Sequence, residues 1–293
     1  MAIFLDTRLQ SVGGGLAASV SLMSGTSLSD YASIIRDEVL AAVRGRNVMI
    51  GTHGFSVDRA AGIECLANWG TLFELNLTDQ DVFLGLLWPG DSVWAHGLDY
   101  AEESKVADHA GDLLGPFLDD LMADAASVSL ASHSLGARVL LQTVQRMTTH
   151  PRLAVIMAGA IDDNCLNKEF KDAAAKIGEI SVLASKKDAV LEFAFPLGNF
   201  FAGIVDQGHP WWRGALGRSG PAKPRPENLL PPFEIPPGWD YGHHHYLQVA
   251  PDATGALIVQ VNIPPEGTPV PSNGGDGWQQ VFSSGFAATR FKG

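Results

Sequence analysis

The run Ser132-His133-Ser134-Leu135-Gly136 carries the clearest chemical signal in the chain, because Ser134 stands where an apolar strand gives way to a helix. Before it, Val128 to Ala131 is a short apolar run bounded by Ser127, the pattern of a buried strand. After it, Ala137, Leu140, Leu141, Val144 and Met147 recur at three- and four-residue steps, the stripe of a helix packed on a sheet. Such a turn is the nucleophile elbow, Gly-x-Ser-x-Gly, in which the residues two before and two after the serine crowd each other and must be small. Gly136 meets that demand, and Ser132 meets it while departing from the usual glycine. A hydroxyl at this point lies near a helix N-terminus, whose free N–H groups and dipole favour developing negative charge.

A serine hydroxyl is a weak nucleophile at neutral pH and needs a histidine base, itself oriented by a carboxylate. In this kind of fold the chain order is serine, acid, histidine. Asp188 follows the apolar run Ile180 to Ala184 through Ser185-Lys186-Lys187, at the strand end where a parallel sheet gathers its functional loops, and it is the preferred acid. Asp162 and Asp163, beyond the strand-like run ending near Ala158, are the alternative, and adjacent carboxylates there also suit a helix cap. The base must come later, and His243, His244 and His245 are three candidates, of which one can serve the serine because neighbouring side chains diverge. The same divergence argues against a metal site in the histidine run.

The oxyanion of an acyl-transfer intermediate needs two aimed N–H groups. Leu135, directly after the nucleophile, offers one. The other is expected from Phe55, in the turn His53-Gly54-Phe55 that follows the run Asn47 to Ile50, with Gly54 allowing the backbone to approach and His53 ordering the loop.

These residues require a frame. Apolar runs at Asn47–Ile50, Val82–Leu87, Val128–Ala131, Leu153–Ala158 and Ile180–Ala184 predict buried parallel strands. Helical patterns at about Arg59–Leu75, Ala101–Ala123, Ala137–Met147 and Lys168–Lys176 alternate with them, so the expected class is α/β, a mostly parallel sheet with helices on both faces. Ala2–Leu5 and Ala17–Met23 are expected to add antiparallel edge strands, and Ala256–Asn262 one more strand. A single domain over all 293 residues is the default, with a proline-rich insert at about 207–240 that is a candidate lid or binding loop. Trp69, Phe73, Trp94, Phe195, Phe200, Trp211 and Trp212 are either acyl-site lining or ordinary core.

A formal net charge of −12 disfavours nucleic acid and anionic membrane surfaces as partners. No uncharged apolar run is long enough to span a bilayer, and the N-terminus lacks a basic stretch followed by a sustained apolar one, so a soluble, cytoplasmic protein is expected. Cys65 and Cys165 form no disulfide framework and read as plain buried thiols.

Taken together, the chain resembles the α/β-hydrolases, and more narrowly the DUF900 group of esterase/lipase-like proteins. The resemblance runs from about Asn47 to Tyr246 and rests on His53-Gly-Phe55, Leu87-Trp-Pro-Gly90, Tyr100 to Ser104, Ser132 to Gly136 and Ala184-Ser-Lys-Lys-Asp188. Its last element is a His-x-Tyr ending, which selects His244, two residues before Tyr246, with His243 as runner-up. The resemblance implies hydrolysis of a carboxylic ester, small-molecule or lipid-like, through an acyl-enzyme on Ser134 with His244 as base and Asp188 holding it, without metal or organic cofactor. A rival is a GDSL-type esterase, because Gly90-Asp-Ser92-Val93 resembles the GDSL block of SGNH esterases and Asp240-Tyr-Gly-His243 their terminal Asp-x-x-His; Ser92 comes too late in the strand order for it. Gly13-Gly-Gly15-Leu-Ala-Ala18 fits a loose dinucleotide pattern but has no preceding strand, and a catalytically inactive hydrolase fold serving in binding is a further alternative.

Overall fold

A computed structural model describes residues 2–9, 15–74, 80–91, 100–192, 214–231, 233–235, 241–244, 246, 248–251 and 257–260. Its strands and helices are β1 (Ala2–Arg8), β2 (Leu16–Gly25), β3 (Ala32–Ser33), α1 (Arg36–Val43), β4 (Asn47–Thr52), α2 (Arg59–Glu74), β5 (Asp81–Leu87), α3 (Tyr100–Leu121), β6 (Ser127–His133), α4 (Gly136–Arg146), β7 (Leu153–Met157), α5 (Lys171–Lys176), β8 (Glu179–Leu183), α6 (Leu216–Ser219), β9 (Leu229–Leu230), β10 (Gln248–Pro251) and β11 (Leu257–Gln260).

Nine strands form one sheet in the order β3-β2-β1-β5-β4-β6-β7-β8-β9, and every pair from β1 to β9 along it is parallel. The five expected parallel strands are all present, with bounds that differ by a residue or two. Their near-continuous apolar character follows from helices on both faces: all of β7 is buried, as are Val48 to Thr52 of β4. The largest fully buried side chains, Trp69, Trp88, Phe4 and Phe170, come from α2, the loop after β5, β1 and the segment before α5, so the core runs the width of the sheet. Parallel connections bring the C-terminal ends of β4, β6 and β8 to one edge, and the loops leaving those ends carry Phe55, Ser134 and Asp188.

Several expectations change. β1 is not an edge strand: it pairs antiparallel with β2 on one side and parallel with β5 on the other, which makes it interior and explains why Phe4 and Leu5 are fully buried. α1 was not apparent in the sequence, because only Val39 and Val43 of its eight residues are buried and charged residues fill its first turn. The strand near the C-terminus pairs with β10 in a separate two-stranded sheet. Within the proline-rich stretch, the described residues include the one-turn α6 and the two-residue β9, whose placement at the sheet margin suits a chain short of N–H donors. Gly15 enters β2, so the glycine run leads into a strand rather than a helix, and the dinucleotide pattern has no helix N-terminus to offer a phosphate. Among the described residues no helix is long and apolar enough to cross a membrane.

Candidate active site

Ser134 has φ of +53°, a left-handed conformation that a residue with a side chain adopts at a cost of about 1–3 kcal/mol and only where its surroundings hold it. Those surroundings are backbone. The Ser134 N–H donates to the Met157 carbonyl at 3.0 Å, and the Ser134 carbonyl accepts from the N–H groups of Ala137 and Ala160, both at 3.1 Å. Gly136 passes so close to the β4 loop that a Cβ on it would lie 2.4 Å from the His53 carbonyl oxygen, which is why the elbow demands glycine there. Ser132 is fully buried and its Oγ has no partner among the described residues, so its small size rather than its hydroxyl fits it to the turn.

Asp188 is placed by the start of a helix. Asp188 is fully buried, and its Oδ1 accepts the Leu191 N–H at 2.9 Å in the manner of an N-cap. Its Oδ2 is left facing the other way, 2.8 Å from His243 Nδ1. Arg218 of α6 supports the turn from behind, donating to the Lys186 carbonyl and pairing with Glu192 at 2.8 Å.

His243 completes the set. Its Nε2 lies 3.0 Å from Ser134 Oγ, and with Nδ1–H donating to Asp188 the Nε2 lone pair faces the serine hydroxyl. Two contacts hold its loop: Ser185 Oγ donates to the Tyr241 carbonyl at 2.5 Å, and the His133 ring donates from Nε2 to the His243 carbonyl at 2.8 Å. Burial drives the His133 pKa down to about 3, consistent with a neutral ring whose one N–H is spent on that carbonyl.

The expected assignment of His244 is therefore corrected. His244 is exposed and lines the cavity, its ring 5.1 Å from that of His243 and nearly perpendicular to it, while the buried His243 spans Ser134 and Asp188. Consecutive side chains in a turn point apart, and the backbone bond from His133 decides which one faces inward. His245 lies outside the described residues. Asp162 and Asp163, the alternative acids, belong to another structure: Asp162 bridges to Ala215, its carbonyl accepts from Cys165 N–H, and the Asp163 N–H donates to Gly214. For the GDSL reading, Ser92 lies outside the described residues, and the histidine it needs, His243, is engaged with Ser134.

The β4 loop lies against Ser134. A Cβ on Gly54 would stand 2.7 Å from Ser134 Cβ, so only glycine permits this approach. His53 orders the loop as expected. Its Nδ1–H donates to the Gly54 carbonyl at 2.8 Å, which leaves Nε2 to accept the Trp88 N–H at 3.4 Å, while Trp88 Nε1 donates to the His53 carbonyl at 2.9 Å. Complete burial lowers the His53 pKa to about 3, so the ring stays neutral and its hydrogen bonds set this tautomer. Because C=O and N–H of a trans peptide point in opposite directions, holding the Gly54 carbonyl on His53 turns the Phe55 N–H away from that ring. Neither the Phe55 nor the Leu135 N–H is bonded to a carbonyl among the described residues.

A cavity of about 820 Å³ opens over Ser134 and His243. Phe55 and Val190, each 40% exposed, form an apolar rim, and α2 contributes Glu64, Asn68 and Trp69. Of the aromatic residues considered for an acyl site, Trp69 is the one the described side chains place there. Cys65 also lines the cavity, with burial raising its thiol pKa to about 11, whereas Cys165 is in the core.

An independent observation fixes the lineage: the model of a family described as an alpha/beta hydrolase of unknown function, DUF900, matches residues 32–199, more than half of the chain. The chain belongs to the DUF900 α/β-hydrolase family. No curated protein sequence matches it significantly. The matched stretch of this DUF900 hydrolase includes His53, Ser134 and Asp188 but ends before His243 and begins after β1. Sequence reasoning also missed Arg8 and Asp91, which brace the β4 loop; a buried Asp-Thr-Arg ending to an apolar strand was the available signal.

Proposed function

We propose that this DUF900 hydrolase cleaves carboxylic esters through an acyl-enzyme, with Ser134 as nucleophile, His243 as general base and acid, and Asp188 as the group that orients His243. The observation that carries this reading is the continuous chain of short contacts from Asp188 Oδ2 through both ring nitrogens of His243 to Ser134 Oγ, at 2.8 and 3.0 Å. Both distances fall within the range of proton transfer along a hydrogen bond. Ser134 Oγ attacks the ester carbonyl carbon and its proton passes to His243 Nε2. The resulting imidazolium is stabilised by Asp188.

The N–H groups of Phe55 and Leu135 receive the oxyanion, and a donor of this kind is worth about 2.7–4 kcal/mol of transition-state stabilisation. Collapse of the tetrahedral intermediate breaks the bond to the alcohol, which leaves with the proton from Nε2. Water, deprotonated by the same nitrogen, then attacks the acyl-enzyme and releases the acid. The apolar rim of Phe55 and Val190 suits a small-molecule or lipid-like acyl or alcohol group.

The test is turnover of a series of p-nitrophenyl esters from acetate to decanoate, with the matching anilides, by the wild type and a Ser134→Ala variant. Ester hydrolysis that disappears in the variant supports the reading. Wild-type protein that turns over anilides but no ester, or a variant as active as the wild type, overturns it.

A further inference from the structure

The end of β1 is chemically odd for an interior strand, because Asp6, Thr7 and Arg8 are all buried. The register of β1 against β2 shifts between Asp6 and Arg8, and Asp6 Oδ1 accepts the Arg8 N–H at 2.9 Å. An irregularity of this kind re-aims the side chain that follows it. Here it sends the Arg8 guanidinium across the end of the sheet, where Nη1 donates to the carbonyls of Val57 and Trp88, both at 2.9 Å, and Nη2 pairs with Asp91.

Those acceptors belong to the β4 loop, which carries Phe55, and to the loop after β5, which packs against it. Val57 lies two residues beyond Phe55, and Trp88 stacks on His53 with ring centroids 5.8 Å apart and planes 12° apart. The loops are also joined to each other, by the Ser56 N–H donating to the Gly90 carbonyl at 2.6 Å and by a bridge between Val57 and Gly90. Behind Arg8, Arg59 donates to the Arg8 carbonyl at 2.9 Å and pairs with Asp6 at 3.0 Å, and Asp6 also accepts from Tyr31 at 3.0 Å. Two guanidinium groups therefore face two carboxylates in a cluster that is buried except for the half-buried Arg59. A planar guanidinium can hold two carbonyls and a carboxylate in fixed relative positions, whereas an ammonium cannot.

We propose that Arg8 is a positioning residue for ester hydrolysis: by clamping the Val57 and Trp88 carbonyls it fixes the Phe55 N–H relative to Ser134. Arg8 lies outside the family-matched residues 32–199, so the N-terminal hairpin shapes the active site from beyond that segment. The proposal rests on the ester-hydrolase reading given above.

Removing Arg8 alone would strand a buried carboxylate, so the test uses Arg8→Gln combined with Asp91→Asn, which removes both charges, and Arg8→Lys, which keeps the charge and loses the fork. Arg36→Gln, which breaks an exposed pair with Asp120, is the control and should match the wild type. Each protein is assayed for kcat and KM on the best p-nitrophenyl ester and for affinity toward an aryl trifluoromethyl ketone, which adds Ser134 to form a tetrahedral oxyanion. An oxyanion-hole defect acts on the transition state and on this adduct, not on ground-state binding. The expected result is a kcat at least tenfold lower in the double variant with KM within twofold, a parallel loss of ketone affinity, and an intermediate value for Arg8→Lys.

A folded double variant with kcat within twofold of the wild type would overturn the proposal, as would a lower kcat with ketone affinity intact. If the double variant fails to fold, the Arg8→Lys comparison decides by the same two readings. Wild-type protein without ester turnover would instead remove the ester-hydrolase reading and this proposal with it.

Discussion

His133, the residue immediately before Ser134, holds the backbone of His243 through a 2.8 Å bond from its ring to the His243 carbonyl. The elbow thus positions not only Ser134 but also the loop that carries His243. This bond makes His243 rather than His244 face the serine, and the two histidines should behave very differently. His243→Gln should lower kcat by about 10³-fold or more, the loss expected when a triad member is removed. His244→Gln should stay within a few-fold of the wild type. Steady-state kinetics on one ester checks both, and equal losses in the two variants would contradict the assignment.

Asp188 makes two commitments, Oδ2 to His243 and Oδ1 to the Leu191 N–H. Asparagine can keep the cap while reversing the donor sense toward His243 Nδ1, which stabilises the wrong tautomer. Asp188→Asn should therefore fold normally and lose up to about 10⁴-fold in kcat, with KM little changed. Thermal melting alongside kinetics separates this outcome from misfolding; an undiminished rate would move the orienting role away from Asp188.

Gly54 supports the approach of the β4 loop to Ser134, and a methyl group there would sit 2.7 Å from Ser134 Cβ. Gly54→Ala must push loop or nucleophile aside by a sizeable fraction of an ångström. Displacements of that order cost about 10²-fold in rate. The loss should fall on kcat, while secondary structure by circular dichroism stays native.

His53 and His133 are both neutral and buried, with pKa values lowered to about 3. In the unfolded chain each would titrate near 6.5, so below that pH the unfolded state binds more protons and stability falls as pH drops toward 3. Each ring contributes a slope of up to about 1.4 kcal/mol per pH unit. Chemical denaturation between pH 7 and 4 should show that decline, and His133→Asn should flatten it relative to its own stability at pH 7. A slope unchanged by that variant would remove His133 from the account.

Local signals made much of this arrangement legible from the chain. Val128 to Met147 encodes strand, turn and helix in consecutive residues, so Ser134 was readable, and Asp188 followed from its place just past a strand. The choice between His243 and His244 was not local. It depends on Ser185 and His133, which are 56 and 110 residues away from their partners Tyr241 and His243, and on the loop direction those bonds impose. The interior position of β1 was hidden for a similar reason, since a run such as Ala2 to Leu5 does not say how many neighbours it will have. The Asp6-Thr7-Arg8 ending of that strand marked Arg8 as unusual, but not what it holds, because its acceptors are backbone carbonyls on two distant loops.

The central claim is that His243 activates Ser134. Labelling with a fluorophosphonate, followed by peptide mass mapping, tests it without knowledge of the natural substrate. The account predicts a single tag on Ser134 in the wild type and in His244→Gln, and its loss in His243→Gln. A tag elsewhere, no tag in the wild type, or undiminished tagging of Ser134 in His243→Gln would contradict it.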